Sequence, residues 1–151
     1  MLGAGNVRLI EILLVEDNSG DVRLTMEAFR EGKLANNLTV VSDGEQALAY
    51  LERKGAYSDA TRPDLILLDL NLPKVSGQEV LAKIGQDPLL ASVPVVVLTA
   101  SRDEHDVLRS LRLGAAAYMT KPVDAAQLIQ LVEEIHAFRL GIVTSDLAEA
   151  R

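Results

Sequence analysis

The sequence has no cysteine and no tryptophan, and only two phenylalanines and three tyrosines among its 151 residues. Without thiols, disulfides, thiolate metal sites and cysteine nucleophiles are all excluded. With aromatics at 3%, the core has to be built mostly from Leu, Val, Ile and Ala. Basic residues are also in short supply: 15 Lys and Arg stand against 22 Asp and Glu, a net charge of −7. That balance repels nucleic-acid phosphates and argues against a nucleic-acid-binding module. In its plainest role it keeps the chain soluble. No apolar run is long enough to span a bilayer, and residues 1–8 lack the layout of a signal peptide. The expectation is a cytoplasmic protein with neither nucleic acid nor membrane as partner.

Apolar residues, by contrast, make up 48% of the chain, enough to bury the core of one domain. They fall into short runs that alternate with amphipathic segments. Strands are expected at 10–15, 38–41, 65–68, 94–98 and 115–119. Helices are expected at 21–31, 45–53, 78–85, 104–113 and 125–138. The inward faces of these helices are read as Val22, Met26 and Phe29; Ala47, Leu48 and Leu51; Val80, Leu81 and Ile84; Val107, Leu108 and Leu111; and Leu128, Leu131, Val132 and Ile135. Five strands alternating with five helices imply an α/β fold, a five-stranded parallel doubly wound sheet covered on both faces. An eight-stranded α/β barrel would need roughly 250 residues. The organisation expected is an N-terminal segment (1–9), one domain (10–138) and a C-terminal tail (139–151) with no room for an output domain.

In an open parallel sheet, ligands gather beyond the carboxyl ends of the strands. Glu16 and Asp17 follow the first strand, Asp69 the third, Thr99 to Ser101 the fourth, and Thr120, Lys121 and Pro122 the fifth. Three carboxylates brought together repel one another and take up protons or a cation. Oxygen donors without His, Cys or Met favour a hard ion that keeps its waters, namely Mg²⁺. A carboxylate can act as a nucleophile in phosphoryl transfer. A cation and one ammonium group, Lys121, would neutralise the phosphoryl oxygens, and Thr99 offers a hydroxyl. Taken singly, each residue has an ordinary reading as turn, cap or surface charge; the ordered set at one sheet edge is a far rarer coincidence. His105 and His136 lie in expected helices without a partner in sequence, and are read as surface residues.

The set resembles the receiver domain of two-component response regulators. The likeness runs from about Ile10 to Phe138 and rests on four fragments: ILLVEDNSGD, DLILLDLNLPKVSG, VVVLTAS and AAAYMTKP. The resemblance implies a flavodoxin-like fold, Asp69 as phosphoacceptor, and Mg²⁺ held by Glu16, Asp17, Asp69 and the backbone carbonyl of Asn71. It also implies that Lys121 pairs with the phosphoryl group and that its bond to Pro122 is cis. Thr99 and Tyr118 then form a switch that alters the surface of the fourth helix, fifth strand and fifth helix, while Asn71 and Ser101 flank the path of the attacking water. A sensor histidine kinase is the implied partner. The long KGAYSDATRP connection, the DLNLPKVSG string and the short tail narrow the resemblance to single-domain regulators paired with bacterial and cyanobacterial phytochrome kinases. A homodimer on that same surface is expected, with help from Leu140, Ile142 and Val143 of the tail.

Competing readings remain. A phosphorelay intermediate or phosphate sink would use the same chemistry. An aspartate-based phosphohydrolase would carry a second Asp two residues after the nucleophile, where this chain has Asn71, which cannot serve as that acid. A flavin or nucleotide binder would need a glycine-rich first turn, where this chain has EDNSGD. A scaffold-only receiver has no need of Glu16, Asp17, Asp69, Thr99 and Lys121 together.

Overall fold

The computed structural model describes residues 9–139. Strand β1 (Ile10–Val15) leads into helix α1 (Ser19–Glu31). There follow β2 (Asn36–Val41), α2 (Gly44–Glu52), β3 (Leu65–Leu68), α3 (Gly77–Gln86), β4 (Val95–Thr99), α4 (Glu104–Arg112), β5 (Ala117–Thr120) and α5 (Ala125–Arg139). All pairings are parallel, in the order β2-β1-β3-β4-β5. The chain winds outward one way through β2 and the other way through β3, so a crevice opens between β1 and β3, where the direction reverses.

The inner strands read as unbroken apolar runs because both faces are covered. Leu13 and Val15 of β1, Ile66 and Leu68 of β3, and Val95 and Val97 of β4 face a core shared with Ala47, Leu51, Val80, Leu81 and Ile84. Their alternates, Ile12, Leu14, Leu65, Leu67, Val96 and Leu98, face a second core with Ala28, Phe29, Leu128, Ile129 and Val132. Asn18, Asp43, Ser76 and Asp103 cap the first four helices through their side-chain oxygens, which satisfies backbone N–H groups of the first turn.

Some details depart from the sequence reading. Helix α1 begins at Ser19, two residues earlier than expected, because Asn18 takes the cap. Thr99 is the last residue of β4 and fully buried, where the sequence placed it beyond the strand. The KGAYSDATRP connection holds a short 3₁₀ turn at Gly55–Tyr57, with the Tyr57 ring edge-on to that of Tyr50 at 5.4 Å. Three side chains expected inward are exposed: Met26 at 43%, Leu108 at 49% and Leu111 at 46%. On α4 the fully buried residue is Ser110. Helical spacing of apolar residues marks a stripe, but does not say that the domain itself covers it. The tail residues Leu140, Ile142 and Val143 lie outside the described residues, as does the side chain of His136, while His105 is exposed. Among the described residues no helix is long and apolar enough to cross a membrane.

Candidate functional site

The sheet ladder runs one residue past three strand ends and so fixes the backbone of the site. Glu16 N–H donates to Val41 O at 3.0 Å, Asp69 N–H to Val15 O at 3.1 Å, and Lys121 N–H to Thr99 O at 2.7 Å. The Lys121–Pro122 peptide bond is cis. Below Asp69, the β3–α3 loop folds back so that Gly77 N–H reaches Leu70 O at 3.0 Å. The space beside Gly77 is filled by backbone: a Cβ there would stand 2.3 Å from Asp69 O.

Glu16, Asp17 and Asp69 each offer an oxygen within 4.8 Å of the others. Glu16 and Asp69 are buried and Asp17 is exposed, so the cluster has a polar floor and an open mouth. Burial raises the Glu16 carboxyl to about 7; the hydrogen bond from Lys121 opposes this, and the charge of Asp69 adds to it. Such a group holds a proton near neutrality or gives it up to a cation. The donor set, all oxygen and mostly anionic, fits a hard divalent ion.

Opposite the acids stands one ammonium. Lys121 Nζ donates to Glu16 Oε1 at 2.5 Å, Asp21 Oδ2 at 2.9 Å and Asp69 Oδ2 at 3.0 Å. Burial alone would lower its pKa, but the hydrogen bonds to Glu16, Asp21 and Asp69 outweigh it and hold the ammonium above its ordinary value. Asp21 is the site residue that sequence reasoning missed. It stands in the first turn of α1, 100 positions from its partner, so no local spacing links the two.

Thr99 Oγ1 accepts from Asn71 Nδ2 and from Ser101 N–H, both at 3.5 Å. Asn71 N–H donates to Asp69 Oδ1 at 3.0 Å. Tyr118, half-buried, donates its hydroxyl to Ser101 O at 2.8 Å, and burial raises its pKa. Ser101 Oγ in turn donates to Asp106 Oδ2 at 2.6 Å, in the first turn of α4. The structure thus brings Glu16, Asp17, Asp69 and Lys121 together, and sets Thr99, Asn71, Ser101 and Tyr118 as a connected rim leading to α4.

A doubly wound parallel domain with an acidic, cation-ready pocket at its crevice and a half-buried lysine across it defines a narrow class of proteins. The profile described as "Response regulator receiver domain" matches residues 12–133, and the chain belongs to that family. Response regulator Rcp1 of Synechocystis is 46% identical over 133 residues, 88% of this chain and 90% of that protein. The crystal structure of the phosphorylated cyanobacterial phytochrome response regulator RcpA is 47% identical, with a TM-score of 0.77 over 91% of this chain and 98% of that one. The Mn²⁺-bound form of Rcp1 is 45% identical, with a TM-score of 0.76 over 89% of this chain and 97% of that one. This is a signalling receiver domain related to phytochrome response regulators.

Proposed function

We propose that the chain accepts a phosphoryl group on Asp69 from the phosphohistidine of a sensor histidine kinase, and that a phytochrome-type kinase supplies it. One observation carries this reading: Asp69 is buried at the crevice with an ammonium 3.0 Å from Oδ2 and two further carboxylates within 4.8 Å. A carboxylate oxygen of Asp69 attacks phosphorus, the N–P bond of the phosphohistidine breaks, and the imidazole leaves. Glu16, Asp17, Asp69 and the Asn71 carbonyl would hold Mg²⁺, which supplies positive charge against the phosphoryl oxygens. Lys121 turns its ammonium to the same oxygens. The thermal midpoint should rise with Mg²⁺. At about ten times Kd, binding to the folded state alone adds about 1.4 kcal/mol, a rise of a few degrees. The rise should shrink in Asp17→Asn; an equal rise in that variant would place the ion elsewhere.

The signal leaves through Thr99 and Tyr118 toward the α4–β5–α5 surface. The Tyr118–Ser101–Asp106 chain of hydrogen bonds supports this route. The same surface is proposed as the contact of a homodimer, supported by Leu108 and Leu111, each nearly half exposed on α4. Light scattering should give a dimer mass for the phosphoryl-mimic form, and Leu108→Glu with Leu111→Glu should return it to a monomer. A monomer throughout, or a dimer that tolerates both substitutions, contradicts this contact.

A further inference from the structure

We infer that Asp21 is a positioning residue that competes with the incoming phosphoryl group for Lys121. This rests on the reading of Asp69 as the phosphoacceptor. The ammonium of Lys121 has three anionic partners, and they are not equivalent. Glu16 and Asp69 belong to the cluster that can hold a cation, and their side chains are 3% and 8% exposed. Asp21 stands outside that cluster, with a side chain 33% exposed, at the rim where α1 meets the turn after β5.

The place of Asp21 is fixed by α1 and not by the site. Its N–H donates to the capping Asn18 Oδ1 at 2.9 Å, and its carbonyl accepts from Thr25 Oγ1 at 2.9 Å. A carboxylate in the first turn is also favoured by the positive end of the helix. The backbone of Asp21 is therefore held whatever happens on Asp69, its short side chain keeps the carboxylate near the rim, and the longer lysine is the partner that moves. In the resting state Asp21 draws the ammonium outward. A phosphoryl group on Asp69 must win Lys121 from that grip, and does so beside a fixed negative charge. Both effects weaken the binding of an anionic phosphoryl donor, and neither acts on the nucleophile itself. The Asp21–Lys121 link also ties helix α1 to the state of the site.

The test compares the wild type with Asp21→Asn and Asp21→Glu at saturating Mg²⁺. Acetyl phosphate serves as donor, followed by intact mass, and beryllofluoride stands in for the bound phosphoryl group. Asn keeps the shape and loses the charge. Its half-saturating donor concentration and its apparent Kd for beryllofluoride should each fall three- to tenfold, with the maximal rate within twofold of the wild type. Glu restores the charge on a longer stem at a partly open position, and should return both constants to near the wild-type values. Unchanged constants in Asn, weaker binding in Asn, or a Glu variant that behaves as Asn would each overturn the inference. A wild-type protein that takes no phosphoryl group would overturn the reading of Asp69, and this inference with it.

Discussion

Asp69→Asn should lose all phosphorylation and keep the fold. The residue stands directly past the end of β3, buried, with its backbone N–H pinned to Val15 O at 3.1 Å. Asn has the same shape, and its side-chain oxygen can still accept from the Asn71 N–H. It has no anionic oxygen with which to attack phosphorus. Incubation with a small phosphodonor and Mg²⁺ should leave its mass unchanged, while the wild type gains one phosphoryl group. Its circular dichroism should match the wild type. Its melting temperature should be no lower, because the charge of Asp69 repels the ionised form of the buried Glu16. Phosphorylation of the Asn variant at an undiminished rate would move the acceptor elsewhere.

Gly77→Ala should be among the most damaging single changes to the fold. A Cβ at this position would lie 2.3 Å from Asp69 O and 2.5 Å from Leu70 Cα. Both are backbone atoms, held by the hydrogen bonds that close the β3–α3 loop, so neither can swing aside as a flexible side chain would. Overpacking of this kind costs about 3 kcal/mol. In a domain of this size that lowers the melting temperature by about 10 °C. The displaced atoms carry the nucleophile, so the rate of phosphorylation should fall even at temperatures where the variant is folded. Chemical denaturation and a phosphorylation time course at 10 °C separate the two effects. A variant with wild-type stability would mean that the loop yields more easily than its contacts imply.

The inner strands were legible in the sequence because burial on both faces writes itself as consecutive Val, Ile and Leu. The five-element alternation then left one sensible topology. The strand-end residues followed from it: Glu16, Asp69 and Lys121 stand together because the ladder extends past their strands, and the sequence places those strand ends to within one residue. Three things could not be read. Leu108 and Leu111 have the spacing of a buried stripe, and only the docking of α4 decides that Ser110 turns inward instead. Asp21 looked like an ordinary acid in the first turn of a helix. Its meeting with Lys121 depends on how α1 sits against the turn after β5, which no local pattern encodes. The β3–α3 loop was legible as a string of residues, but the reason Gly77 must be glycine lies in backbone packing.

The destination of the phosphoryl group is the most direct test of Asp69 as acceptor. Wild-type protein incubated with Mg²⁺ and a phosphodonor, then treated with borohydride to convert an aspartyl phosphate to homoserine, can be digested and mapped by mass spectrometry. Homoserine is expected at position 69 and nowhere else. Homoserine at another aspartate, a reduced glutamate, or a phosphoryl group retained on a serine, threonine or histidine, would contradict that assignment.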